Sequence, residues 1–340
     1  MGLITHPKVH VDIDGVPVSG LFFKRLISLE IIDREGIRSD TLRLVFNDAA
    51  PHFDSPRRGA VANVTIQPND GGGGFVGSYV IDSVDYNCHP FTISVGGHSA
   101  DLRSEMKTQR SRHWDDRSVK DIVSEIAGAY DLEAKISDVV SSHVYKWIGQ
   151  QDESDLQFLE RLAKRHGALF TVKNGAMLWL ERGMGKTADG TEVPAAVIVP
   201  EAIIAGSCRV SETDVDRFGK VKAFYQDRAG AKRQEVVVDG DPDASGEHVI
   251  REAFGTKAEA LAGAQAFARE MLRGLVNTSG TISGRPGLMA GQPLSYLGVR
   301  PGIDGKQFIL GMVKHNFSKS SGLQTSFEGT LKAAKLKAAE

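Results

Sequence analysis

The sequence predicts a mixed, β-rich α+β protein: two homologous antiparallel β-barrel domains separated by an α+β domain, with a helical insertion in the second barrel. Three observations carry this expectation. Apolar and polar residues alternate at period two from Lys8 to His98, and the same texture returns beyond Ile203. Between these regions the period changes to that of amphipathic helices. One strand pattern also occurs twice in the chain, at a nearly constant spacing.

In chain order, Val9, Val11 and Ile13 alternate with polar residues, as do Leu42, Leu44 and Phe46 and, more loosely, Val61, Val64 and Ile66. Asp14-Gly15, Pro51, Pro56 and the run Gly71 to Gly74 punctuate them, as turns joining short antiparallel strands do, and the tetraglycine reads as a hairpin tip. Residues 1–99 are therefore expected to form the first barrel. Glycine is in excess, 37 of 340 residues or about 11% against an average near 7%, which suits many turns.

From residue 100 to 198 an α+β domain is expected. Ser118-Val-Lys-Asp121 has capping-box spacing, and Val119, Ile122, Val123, Ile126 and Ala127 then fall on one helix face. Ser154 and Gln157 open a second helix with the stripe Leu156, Leu159, Leu162 and Ala163, and Gly167 stands where a C-terminal stop belongs. Leu169 to Val172 and Met177 to Leu180 flank Asn174-Gly175, the strongest short hairpin signal.

Residues 199–227 and 276–331 are assigned to the second barrel, 228–275 to an insertion, and 332–340 to an Ala/Lys-rich tail. Within the insertion, Thr256-Lys-Ala-Glu259 opens a long helix whose face carries Leu261, Ala264, Ala268, Met271, Leu272 and Leu275. The duplication sets these limits. Tyr79 to Asn87 aligns with Phe308 to Asn316 at an offset of 229, and Thr92 to Gly97 with Gln324 to Gly329 at 232. A weaker match, Thr41 to Asp48 with Lys220 to Asp227 at 179, places about 50 extra residues after Asp227.

Charge and motifs narrow the function classes. Lys+Arg number 41 against 43 Asp+Glu, a net charge of −2, so no basic excess suggests nucleic acid or an anionic membrane as the main partner. The first twenty residues lack an uninterrupted apolar stretch for a signal peptide, and no window approaches about 18 apolar residues, so no membrane span is expected. Cys88 and Cys208 are too far apart in sequence for a CxxC pair and read as reduced core residues. Gly185-Lys-Thr187 is no P-loop, because Leu180 stands where its first glycine is required. Asp239, Asp241 and Asp243 fail as a calcium loop, with Ala244 and Ile250 at the sixth and twelfth positions; counted from His10, Asp12 and Asp14 fail likewise at Leu21. The ten histidines make no zinc motif. Asp115-Asp116 and Asp152-Glu153 sit at apparent helix starts, where capping accounts for them, although paired carboxylates are also what a peptidoglycan hydrolase uses. Trp114, Trp147 and Trp179 are where a carbohydrate binder would be sought, but Trp147 and Trp179 read as core. No catalytic, cofactor-binding or metal-ligating residue is predicted.

Gln150 with Glu153-Ser-Asp-Leu-Gln-Phe-Leu-Glu-Arg-Leu-Ala163, followed by Gly167-Ala-Leu-Phe170, resembles the signature of the phage late control D proteins, the hubs of contractile-tail baseplates, which are related to the VgrG spike proteins of type VI secretion. Leu102 to Trp114, Ala290 to Leu294 and Gly311 to His315 agree with it, so the resemblance spans nearly the whole chain. It implies a non-enzymatic structural hub without a cofactor: a homotrimer whose six barrels match a sixfold tail tube protein to a threefold central spike and line a channel. Its implied partners are the tube protein, a separate spike chain, other baseplate proteins and the tape measure protein, with no specific nucleic-acid binding. Its implied place is the virion tail baseplate, after assembly in the host bacterial cytoplasm. The chain stops at Glu340, without the fused needle of VgrG, so the spike is expected to be a separate protein. A tailocin or type VI-like system is the alternative setting.

Overall fold

The computed structural model describes residues 7–17, 24–52, 54–67, 74–99, 104–214, 217–227, 230 and 232–333. Most of the tetraglycine and of the expected tail lie outside them.

The first β unit contains β1 (Lys8–Ile13), β2 (Val16–Pro17), β3 (Leu26–Arg34), β4 (Thr41–Asn47), β5 (Val61–Gln67), β6 (Phe75–Cys88) and β7 (Phe91–Ser99). Their alternation buries one side of each strand: Leu42, Leu44 and Phe46 on β4 join Leu29, Ile31, Ile66, Ile81 and Val95 in one core. The middle domain follows as β8 (Gln109–Ser118), α1 (Val119–Gly128), β9 (Glu133–Ile136), β10 (Val144–Ser154), α2 (Asp155–His166), β11 (Ala168–Lys173) and β12 (Ala176–Glu181). Both capping boxes form, at Ser118/Asp121 and Ser154/Gln157. Gly167 ends α2 with φ 62°, a left-handed turn that glycine adopts without a steric penalty. Asn174 and Gly175, at φ 52° and 72°, turn β11 into β12 in register.

The remaining elements are β13 (Ala196–Ile198), β14 (Arg209–Glu212), β15 (Lys220–Asp227), β16 (Lys232–Asp239), β17 (Glu247–Phe254), α3 (Lys257–Gly274), β18 (Val276–Ser283), β19 (Pro293–Tyr296), β20 (Gln307–Ser318) and β21 (Gly322–Leu331). The strands of the two β units form one continuous sheet, ordered β14-β18-β21-β20-β3-β4-β7-β6-β5-β1-β2, with β19 beside β20 and β13 beside β19. The first core accordingly includes Phe317 and Leu323 from the far end of the chain.

Hairpins β6–β7 and β20–β21 repeat in detail. Ile81 lies opposite Gly97 and Ser83 opposite Gly96, so Asp82 is bulged; Leu310 lies opposite Gly329 and Met312 opposite Glu328, so Gly311 is bulged, at the same offset of 229 (311 less 82). The glycines answer one steric demand: a Cβ on Gly97 would stand 2.9 Å from the Val80 carbonyl oxygen, and one on Gly329 2.8 Å from that of Ile309. Outside the hairpins, Leu42 faces Gly97 as Thr278 faces Gly329, and Ile31 faces Leu42 as Val210 faces Thr278. The counterpart of β4 is therefore β18, at an offset of 236 (278 less 42), and that of β3 is β14, at 179 (210 less 31).

Strand pairing thus differs from the sequence alignment at two boundaries. Lys220–Asp227, assigned to the second barrel, pairs with β16 and β17 in a separate three-stranded sheet under α3, with Val221, Ala223, Val236, Phe254, Ala260 and Ala264 as its core. The insertion thus begins after Glu212. Ala196–Ile198, assigned to the middle domain, pairs with β19, and Ala196 and Ile198 join the second unit's core. Short strands carry little pattern of their own, and the partner decides their membership.

Candidate functional site

Eight strands, β14-β18-β21-β20-β3-β4-β7-β6, turn one face to the cores and the other outward. On β4 the outward residues are Thr41, Arg43, Val45 and Asn47; Glu30 lies opposite Arg43 and Ser94 opposite Val45. In the second β unit Asn277, Ser279 and Thr281 lie opposite Thr330, Glu328 and Ser326. The charges of this face are mixed in sign, with Arg43, Arg209 and Lys314 against Glu30, Asp85 and Glu328.

The two β units meet where β3 pairs with β20, from Arg34 opposite Met312 to Ser28 opposite Ser318. On the outward side Lys314 and Glu30 form an ion pair at 2.5 Å. On the inward side Leu29, Ile31, Val313, His315 and Phe317 are buried. Burial lowers the His315 pKa and keeps the ring neutral. Nε2 then donates to the Leu288 carbonyl at 3.1 Å, and Nδ1 accepts from the Thr325 hydroxyl at 3.1 Å. Lys173 of β11 ties the middle domain to this seam through Asp33 and Asp40, and the second oxygen of Asp33 accepts from the Ala290 amide at 2.8 Å. Burial alone would depress the Lys173 pKa, but the two carboxylates hold it above its ordinary value.

The signature residues around α2 form a clasp. Asp155, 1% exposed, accepts from Arg112 Nη2 at 2.5 Å, Tyr130 Oη at 2.6 Å and Gln150 Nε2 at 2.8 Å. Arg112 Nε donates to Gln150 Oε1 at 2.8 Å, and Glu153 pairs with Arg161 of α2. The sequence pattern Gln-x-x-Glu-Ser-Asp thus places a buried amide, a helix-anchoring carboxylate, an N-cap and a buried acceptor in turn. Their joint work is to fix α2 on β8 and β10.

The other singled-out residues fall as follows. Asp115-Asp116 and Asp152-Glu153 lie on paired strands β8 and β10 and not in helical first turns. Asp115 sits opposite Trp147 while Glu153 sits opposite Arg110, five residues along β8 and so about 16 Å apart, too far for two carboxylates to flank one glycosidic bond. Trp114 is buried and stacks on Phe158 with centroids 4.9 Å apart, and Trp179 is wholly buried. Trp147, expected in the core, is 54% exposed, because its strand position faces solvent. Cys88 is exposed, contrary to the core expectation, whereas Cys208 is half-buried and packs against the second unit's core. Asp241 is buried against Arg217, whose Nε lies 2.7 Å away, and no cluster of three or more metal-ligating side chains occurs among the described residues. No described helix is long and apolar enough to cross a membrane.

A family model described as the phage tail baseplate hub (GPD) matches residues 41–321. The chain belongs to this family. The hub is 29% identical to the probable baseplate hub protein of Escherichia phage P2, over 95% of this chain and 92% of that one. Its fold is similar to a 43 kDa tail protein of prophage MuSo2 from Shewanella oneidensis, with 15% identity, TM-score 0.69 and coverage of 94% and 97%. It is also similar to an Escherichia coli component of the type VI secretion system, with 12% identity, TM-score 0.56 and coverage of 96% and 79%. This hub is thus a phage-tail baseplate protein whose fold is also similar to a chain of a Francisella PdpA-VgrG complex, and its curated relatives are probable baseplate hub proteins.

Proposed function

We propose that this hub works without catalysis as a trimeric ring that adapts a sixfold tail tube to a threefold spike. The observation that carries the reading is the in-register repeat of bulge and glycine in β6–β7 and β20–β21. Three chains with two such modules each present six similar surfaces on a threefold body, which is what a symmetry adaptor requires. The outward face of the eight-stranded run then lines the central passage. Small hydroxyl and amide side chains with balanced charges give a wettable wall that holds a polyanion only weakly, because salt-dependent retention of DNA scales with the phosphates neutralised.

Light scattering on the purified full-length chain tests the assembly: three monomer masses are expected, and a monomer persisting at micromolar concentration overturns it. A peptidoglycan zymogram tests the absence of catalysis. Clearing that disappears on Asp115→Asn or Glu153→Gln would replace this reading with a hydrolase.

A further inference from the structure

We propose that the groove between α2, α3 and β17 docks an acidic segment of a partner protein, one in which carboxylates stand beside aliphatic or aromatic side chains. The groove is built from the middle domain and the insertion, so the proposal depends neither on the trimeric reading nor on the outward face of the long sheet.

An irregularity in β17, the edge strand of its sheet, shapes one wall. Val249 lies opposite Lys222 and Ala253 opposite Phe224, so Ile250, Arg251 and Glu252 stand against the single residue Ala223. These three bulge from the ladder, and Glu252 pairs there with Arg165 of α2. The other wall is α3. A Cβ on Gly263 would stand 2.5 Å from the Phe254 ring, so the missing side chain lets that ring lie against the helix backbone. With Ala168, Ala266 and Phe267, Phe254 gives an apolar lining to a groove of about 910 Å³. That is within the range of roughly 300–1,000 Å³ that discrete ligands occupy. Val249, which also lines it, is 43% exposed.

The charge of this lining differs from that of the chain. Arg161, Lys164, Arg165, Arg182, Arg251 and Arg269 face three carboxylates, Glu160, Glu252 and Glu270, an excess of three cations in a chain whose net charge is −2. Each carboxylate already has a cation: Glu160 pairs with Lys164, Glu252 with Arg165 and Glu270 with Arg182. Arg161 pairs with Glu153 outside the groove. Arg251 and Arg269 are left over, with neither an ion pair nor a hydrogen bond among the described residues. Arg269 is half-buried over Gly167, where a Cβ would stand 2.8 Å from its Nη2. Burial depresses its pKa, and Glu181 offsets this only in part. The buried Nε atoms of Arg165 and Arg182 also lack hydrogen-bond partners among the described residues. A desolvated cation without an anion is a cost that an incoming carboxylate removes, and a guanidinium fork takes a carboxylate through two parallel hydrogen bonds. A continuous phosphodiester would run past Glu160, Glu252 and Glu270 and be repelled by them. Separate acid groups between apolar side chains therefore fit this lining better than nucleic acid does.

A displayed library of short random peptides is panned on the immobilised full-length protein, with Arg251→Glu and Arg269→Gln proteins as parallel baits. Enriched peptides are expected to carry Asp or Glu next to Leu, Ile, Phe or Trp. A fluorescein-labelled copy of the most enriched peptide, followed by anisotropy, should bind about threefold more weakly to Arg251→Glu and about tenfold more weakly to Arg269→Gln, whose half-buried charge is less screened. Arg251 is exposed, so its replacement keeps the fold, which urea unfolding of the variant verifies. Enrichment of peptides without carboxylates, binding unchanged in both variants, or no enrichment at all overturns the proposal. Displacement of the peptide by a short oligothymidine at lower concentration than by the unlabelled peptide overturns it too, and makes the groove a nucleic-acid site. The trimer mass by light scattering is read separately, so the trimeric reading survives any of these outcomes.

Discussion

Replacing Asp155 with alanine should destabilise the middle domain without altering any chemistry. Its carboxylate is 1% exposed and accepts three hydrogen bonds, from Arg112, Tyr130 and Gln150. Removing one member of a buried, hydrogen-bonded charge pair costs about 3–5 kcal/mol, since the remaining charge and polar groups stay desolvated and unpaired. The Arg112 side chain retains 26% exposure and can recover some hydration, which places the expected loss near the lower end, about 3 kcal/mol. For a cooperative unit of about 100 residues this corresponds to a fall in Tm of roughly 12–24 °C, and about half that if a larger part of the chain melts together. Asp155→Asn keeps the shape and loses the charge, so its loss should be intermediate. Asp152→Asn, exposed and bonded among the described residues only through Ser111, should stay within about 0.5 kcal/mol. Differential scanning calorimetry with urea unfolding separates these cases. If Asp155→Ala unfolds like Asp152→Asn, the clasp does not hold α2 and the structural reading of the signature fails.

Gly97→Ala and Gly329→Ala should each cost about 1–3 kcal/mol, and by similar amounts, because each Cβ would meet a carbonyl oxygen at 2.9 or 2.8 Å; urea titration of both variants checks this, and a neutral outcome at either site refutes the shared close approach. Stability should also fall on acidification. Burial, then the charges of His143 and Arg165, holds His166 at about 3. That is below its unfolded value of about 6.5, so the unfolded chain takes up the proton first and the contribution of neutral His166 is lost as pH drops from about 6.5 towards 3. At pH 5 this amounts to about 2 kcal/mol. His166→Gln should flatten that part of the pH profile in urea unfolding, and an unchanged slope counts against the assignment.

Much of this architecture is legible in the sequence because its signals are local. A serine three residues before Asp121 or Gln157 satisfies backbone donors wherever the helix later packs, and Asn174-Gly175 closes its hairpin with the strands already adjacent. The matching hairpins are legible for the same reason: a bulge and a glycine forced by one close contact leave a fixed spacing. Pairing between distant segments leaves no such trace. Arg209–Glu212 has four residues and little pattern, whereas Val221, Ala223 and Tyr225 alternate more strongly although their strand pairs in a separate sheet. Exposure of Trp147 and Cys88 was hidden too, since it depends on which neighbours the fold brings. The outward face could not be located at all before the strand order was known, because period two says that a strand has two sides and not what lies beyond either.

The connections that follow β3 and β14 differ. Residues 35–40 turn directly from β3 into β4, whereas 213–275 make the equivalent connection from β14 to β18 through a folded unit, entering and leaving on one rung where the Thr213 amide donates to the Leu275 carbonyl at 2.9 Å. A folded unit at such a corner leaves the sheet's own strand pairing undisturbed. A partner that touches the hairpins meets nearly the same surface twice on each chain. One that touches the grown corner meets it once, and the same polypeptide thereby counts differently for different neighbours.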